Sequence, residues 1–350
     1  MENRIFTKLK SSKYIFPTII GIVVFIGFML KTQISIVETS DRVYYLRQLE
    51  VFYDVGYFFA PDNPVPLYVL LGVDMILKDG YTALLYAMIV FSTLIALPIS
   101  LILKNKDKLA VIVGVLVILF RDHFYIMINY GIWKNIFGMF IYSVFLLVLY
   151  RYENKHDVYD LGSIILLCIV QVFTHELAFS LQVLTLGYWF IISKTYKKLL
   201  KLFVDKPLIG VVFSFSIGIF VYNMIVNPNL HYLLFLRPEN FAFNFVRFYE
   251  AFSWLPVTGQ LIVFCGTIML GKNMFDRTVA FTGITLHVCS WLLFDGMRML
   301  YLTQVPLAVC LASLLTYPRV KEHRWLVVFL ATCFILPYIG RFVGRYLGVI

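Results

Sequence analysis

Apolar residues fill most of this chain in long runs separated by short polar breaks. The runs cover 14–37, 66–77, 81–103, 109–130, 131–150, 160–174, 177–193, 207–226, 254–271, 277–294, 299–316 and 325–340. A helix that crosses a bilayer needs about 20 mostly apolar residues, and most of these runs have that length. The short alternating segments of a membrane barrel do not occur. Pro66–Leu77 is too short: at 1.5 Å per residue it spans roughly 18 Å of a core about 30 Å thick. It also carries Asp74, and it is predicted to lie in or dip into the interface. The pattern therefore predicts an all-α polytopic transmembrane bundle of about eleven spans. The longest breaks, 38–64 and 227–253, have 27 residues each, too few for a soluble domain. Residues 1–350 are expected to form a single transmembrane domain, with one outer loop over 38–80 that holds interfacial helices and a second over 227–253.

Charge sets the orientation. With a cytoplasmic amino terminus, the inner segments are 1–13, 104–108, 151–160, 194–206, 272–277 and 317–324, and they hold 19 of the 30 Lys and Arg but 8 of the 20 acids. Basic residues collect in cytoplasmic loops. Counting Pro66–Leu77 as a span would put the basic stretch "KNKDK" (104–108) outside, against that rule. Tyr14–Leu30 follows Arg4, Lys8, Lys10 and Lys13 and is predicted to be a retained anchor rather than a cleaved leader.

Composition narrows the class further. Hydrophobic residues make up 61% and charged residues 14%, far from the roughly half and quarter of soluble domains. The net charge of +10 is a topology signal here rather than a nucleic-acid footprint. The five cysteines all lie in apolar runs with no CxxC pair, which indicates neither a disulfide framework nor a zinc site. Serine elbow, HExxH, P-loop and dinucleotide signatures are absent.

Candidate chemistry gathers on the predicted outer side. "ETSDRVYYLRQLE" (38–50) places Asp41 and Arg42 just past the first run, and the stretch continues as an amphipathic helix. Ser40 or Asp41 would N-cap that helix, which fixes a carboxylate in place whatever else it does. "APDNPVPLY" (60–68) is a rigid proline turn opening the short helix. "RDHFY" (121–125) sets Asp122 and His123 at the outer end of one span, where an Arg–Asp interfacial pair is the plainer account. "THE" (174–176) must be a tight outer hairpin. His175 and Glu176 there could hold a metal or a phosphate, although adjacent residues do not share a helix face and a solvated turn explains them equally. Arg237 in the second outer loop and Arg298 in "FDGMRML" are candidate anion binders, with snorkelling to headgroups as the alternative.

Taken together, an N-terminal span, an acid just outside it, an amphipathic loop and "PVPLYVLLGVDMILKDGY" resemble the GT-C membrane glycosyltransferases. These are the polyprenyl-phosphate-sugar-dependent enzymes, such as protein O-mannosyltransferases and aminoarabinose transferases. "RMLYLTQVPLAVCLASLL" (298–315) is similar to their penultimate region. Paired acids in the first outer loop are common in that family, whereas Asp41 is followed by Arg42; the usual double proline is split as Pro64 and Pro66.

The resemblance implies a sugar donated from a lipid phosphate at the outer face, with inversion. Asp41 would be the base, Asp122 a second carboxylate, and Arg298 the holder of the phosphate. Arg237, Arg42, His123, His175 and Glu176 would contact substrate. It allows a divalent metal, Mg or Mn, as in oligosaccharyltransferase-like members; the sequence itself names no cofactor. The expected partners are the lipid-linked donor, a glycan, lipid or protein acceptor and membrane lipids, with no nucleic acid, in the cell membrane. Two other readings stay open: a polysaccharide polymerase of the O-antigen type, and a non-enzymatic flippase, transport or assembly protein.

Overall fold

The computed structural model describes residues 18–19, 21–23, 25–26, 36, 38–58, 64–104, 106–120, 127–128, 130–194, 197, 204–205, 254–292 and 300–346, of which Ser40, Glu176, 254–257, Leu292 and 337–346 are described by backbone alone. Every regular element among them is a helix: α1 Ser40–Val55, α2 Pro64–Leu77, α3 Gly80–Leu94, α4 Ala96–Leu103, α5 Lys108–Leu119, α6 Trp133–Lys155, α7 Val158–Val172, α8 Glu176–Ile192, α9 Trp254–Leu270, α10 Met274–Leu292, α11 Gln304–Leu314, α12 Pro318–Lys321 and α13 Arg324–Tyr346. The predicted span 207–226 and outer loop 227–253 lie outside the described residues.

The apolar runs recur as helices, with boundaries set by identifiable residues. Asp79 caps α3 by accepting from the Thr82 amide, Asp107 caps α5 through Leu109 and Asp157 caps α7 through Tyr159. Pro98 has no N–H to return to Leu94, and the chain leaves regular α geometry at Ile95, dividing α3 from α4. Counted as one rod, Gly80–Leu103 has 24 residues; it and Trp133–Lys155, with 23, are the described helices long and apolar enough to cross a membrane. The remaining apolar helices are shorter, α2 and α5 among them.

Packing is dense where helices meet. Phe91 on α3 meets Trp133, Phe137 and Phe140 of α6 with ring centroids 5.0–5.3 Å apart. At Gly138 a Cβ would meet Ala178 of α8 at 3.0 Å, so the missing side chain lets α6 and α8 approach. The outer surface is apolar as well. On α7, Leu161, Ile165, Leu166, Ile169 and Val172 are all exposed. A stripe of this kind facing water would be an aggregation surface; facing acyl chains it costs nothing.

Two clusters gather opposite helix ends. At one, Lys106 Nζ donates to Asp276 at 3.0 and 2.8 Å and to Ser313 Oγ, while Tyr317 donates to Asp276 at 3.1 Å. Glu153 accepts from the Phe275 amide at 3.2 Å, and Arg324 pairs with Asp107 at 2.8 Å. Apart from Ser313, these residues come from four of the six segments assigned to the inner side by charge. At the other end, Thr39 bonds the Tyr130 carbonyl at 2.8 Å, the Val65 amide bonds Phe173 O at 3.2 Å, and Trp133 Nε1 bonds Pro66 O at 2.9 Å.

Candidate functional site

At this second end α1 and α2 lie across the entrance to α3 and α6. Thr39, not Ser40 or Asp41, caps α1: its Oγ1 accepts from the Arg42 amide. All three residues of Thr39-Ser40-Asp41 are good cap formers, so composition did not separate them. The choice leaves the Asp41 carboxylate in the first turn, half-buried and favourably placed by the helix dipole. Arg42 turns inward. Its Nη1 donates to Ile36 O at 3.0 Å, and its guanidinium stands 5.0 Å from the centroid of the Tyr81 ring. The Ile36 amide in turn donates to the Tyr81 hydroxyl at 2.9 Å. Gly131 makes this close approach feasible: at φ +69 it turns the chain, and a Cβ there would meet Ile36 at 3.1 Å and Arg42 Cβ at 3.4 Å.

A cavity of about 650 Å³ opens between α1, α2 and the start of α3. Leu46, Leu49 and Met75 form its apolar wall, and Tyr53 and Tyr81 present rings. Its charged lining is Glu50, Asp74, Asp79 and Lys78. Tyr81 joins the cavity to Arg42, and Leu46 stands five residues, about 7.5 Å of helix rise, beyond Asp41.

Asp74 is the charged residue of an otherwise apolar helix, and it is 4% exposed. Tyr53 donates to its Oδ2 at 2.6 Å. This bond fastens α1 to α2 and pushes the Tyr53 phenol above its ordinary 10.0, the hydrogen bond to Asp74 being the main cause. The other oxygen, Oδ1, is buried with no hydrogen-bond partner. A buried polar atom left unpaired costs about 1–3 kcal/mol, so this one calls for an explanation. Asp79 is held below the carboxylate range by bonds from the Thr82 hydroxyl and amide. Lys78 takes a left-handed backbone at φ 57 and ends α2.

The "THE" hairpin is not the solvated turn that sequence allows. Thr174 and His175 are buried. His175 Nδ1 caps α8 by accepting from Ala178 at 3.2 Å, which makes Nε2 the donor to Asn135 Oδ1. Both ring nitrogens are thereby used inside the protein. Glu176 is the first residue of α8. The hairpin supports the site indirectly, because Phe173 O holds the Val65 amide at the root of α2. Asp122, His123, Arg237 and Arg298 lie outside the described residues.

Of the sequence candidates, the structure brings Arg42 to the edge of the cavity, leaves Asp41 one helix turn beyond it, and puts His175 in the scaffold. Sequence reasoning did not single out Tyr53 and Lys78, and it listed Asp74 only as an acid in a short helix. The available signal was a buried-type helix, "PVPLYVLLGVDMIL", ending in "KDG". Among the described residues no three His, Cys, Asp or Glu side chains gather as a metal site, so no step is drawn through a metal.

No protein-family model matches the sequence, and no curated protein matches it either. Solved structures do. ArnT from Cupriavidus metallidurans, bound to undecaprenyl phosphate, superposes with a TM-score of 0.63 at 10% identity over 96% of this chain and 72% of its own. The archaeal oligosaccharyltransferase AglB from Archaeoglobus fulgidus, in complex with an inhibitory peptide and a dolichol-phosphate, gives 0.61 at 13% identity over 94% of this chain. The fold is that of the GT-C transferases. A bundle of this fold set in a bilayer accounts for the apolar exterior. The chain spans 56% of the AglB length, so the likeness to AglB covers little more than half of that enzyme.

Proposed function

We propose that the chain transfers a sugar from a polyprenyl-phosphate donor to an acceptor hydroxyl at the outer face of the cell membrane, with inversion. The observation that supports this most directly is a cavity whose α1 wall begins five residues after Asp41 and whose Tyr81 stacks on Arg42, in a bundle that follows ArnT over 96% of the chain. An apolar bundle, helical in every regular element among the described residues, suits a donor that arrives from the bilayer. Exposed apolar residues of α2, such as Met75 and Ile76, would face the acyl region beside the cavity mouth.

The acceptor oxygen attacks the anomeric carbon from the side opposite the phosphate. Its proton passes to the Asp41 carboxylate. The anomeric C–O bond breaks and its electron pair leaves on the phosphate. Lys78, the cation lining the cavity, offsets that charge, together with Arg298. Asp122 would orient the acceptor, and Arg237, His123 and Glu176 would contact substrate. His175 acts through the scaffold that holds α2.

Membranes carrying the full chain, incubated with a radiolabelled polyprenyl-phosphate sugar, provide the test. Wild type is expected to release polyprenyl phosphate and label an acceptor. Asp41→Asn should slow this by about 10²–10⁴, the range of general base catalysis. Equal rates would remove Asp41 from the reaction, and no transfer by wild type to any glycan, lipid or protein fraction would remove the reading.

A further inference from the structure

The lining of the α1–α2–α3 cavity is unbalanced in a way that the transfer reaction alone does not require. Three carboxylates, Glu50, Asp74 and Asp79, share it with one ammonium, Lys78. Glu50 and Asp79 are exposed at its margin, and Asp74 is in the wall. Neither margin acid has an ion pair among the described residues. The unpaired Asp74 Oδ1 lies 3.9 Å from where a Cβ on Gly80 would stand, and the Leu46 and Leu49 methyls border the same point. Because position 80 is glycine, no α3 side chain at that position stands between this oxygen and the α1 leucines.

A buried carboxylate with one oxygen satisfied and one orphaned is an acceptor waiting for a donor. Two tyrosine rings beside it offer faces on which the C–H side of a pyranose can lie. Lys78 ends α2 next to Asp79 and four residues after Asp74, while Arg42 is drawn against Tyr81 at the cavity edge. A phosphate would be held by these cations, and whatever hangs from it lies among the acids.

Resting on the transferase reading, we infer that this cavity is the sugar subsite and that its acids select the transferred group: a sugar with free hydroxyls and no acidic substituent. Asp74 Oδ1 accepts a hydrogen bond from one sugar hydroxyl. Glu50 and Asp79 repel a uronic acid or any second anion on the ring. Separations of several ångströms lie within the screening length of about 8 Å at physiological salt, so the discrimination is expected to be about tenfold rather than absolute.

The test uses the full chain in detergent with Met75→Cys as a reporter in the cavity wall, labelled by a bulky charged maleimide, with wild type as the blank. Protection is measured with five probes: bare polyprenyl phosphate, the same lipid carrying a neutral hexose or the matching hexuronic acid, and the pair of soluble methyl glycosides without lipid. The neutral glycoside is expected to protect at about one tenth of the concentration needed by its uronate, with or without the lipid. Glu50→Gln combined with Asp74→Asn, which keeps an acceptor for Tyr53, should bring the two within about threefold. Glu50→Gln alone, at an exposed position, should narrow the gap in part even if the double variant folds poorly. A wild-type ratio near one, or a ratio that neither variant changes, overturns the inference. If the soluble pair discriminates while no polyprenyl probe protects, the sugar subsite stands and the lipid-donor reading falls.

Discussion

At the scale of single residues, the site depends on a few side chains whose partners lie far away in sequence. Gly131 shows this most simply. Its φ of +69 disfavours any L side chain, and a Cβ would press on Ile36 and Arg42. Gly131→Ala should therefore cost about 1–2 kcal/mol from the backbone alone and release Arg42 from Ile36, seen as a lowered thermal midpoint and a raised donor KM. His175 makes a second case. Losing an N-cap costs about 0.5–2 kcal/mol. His175→Ala is expected to destabilise the bundle by that amount while changing the rate through the position of α2, whereas His175→Asn, which keeps a cap acceptor, should recover much of the stability. Metal titration that restores neither would fit its place in the scaffold. The sequence could not reveal this: a polar tripeptide between two apolar runs looks the same whether the turn faces water or a neighbouring helix. Asn135, the partner of His175, lies 40 residues away.

At the scale of elements, the helices were legible and their contacts were not. The run 66–77 does form a helix, α2, beginning at Pro64 where the missing proline N–H is harmless, but length does not set it apart in the structure: α2 has 14 residues and α5, within the run 109–130, has 12. The amphipathic stretch after the first run forms α1, as its pattern required. What the pattern omits is that the two are fastened together by Tyr53 and Asp74, since 21 residues and a proline turn separate the partners. The cavity follows from that pairing, so Lys78 and Tyr53 gave no signal of their own. The start of α3 can be tested by pH. The Asp79 carboxyl lies lower in the folded chain than its ordinary 3.8; a lowered folded value means that the cap is fully formed above the ordinary value and fails as pH falls through the folded one. Amide exchange at Thr82 should be slow at neutral pH in wild type and in Asp79→Asn. It should be fast in Asp79→Ala, and wild type should approach the alanine rate only in strong acid.

Across the whole molecule, charge counting and packing agree about which segments share an end. Residues assigned to the inner side by their lysines and arginines meet around Asp276, and those assigned to the outer side meet around α2. The cluster around Asp276 is the more consequential for stability. Asp276 is 2% exposed and takes bonds from Lys106, Ser313 and Tyr317. Removing one partner of a buried pair costs about 3–5 kcal/mol, while replacing both with apolar residues is often neutral. Lys106→Met is therefore expected to lower the thermal midpoint strongly, and Lys106→Met with Asp276→Leu to restore most of it, as measured by detergent-solubilised melting of the full chain.

That cluster also sets an order of assembly. Lys106 leaves the ribosome 170 residues before Asp276, which at about 5–20 residues per second is roughly 10–30 s. Through that interval an ammonium destined for burial has no carboxylate to meet, and α5 has no α11 to lean on. The first half of the protein must therefore wait at the membrane surface in an unfinished state, open to proteases that recognise unassembled helices. Chains cut short before Asp276 should be cleared quickly, and synthesis of the second half as a separate polypeptide should protect the first.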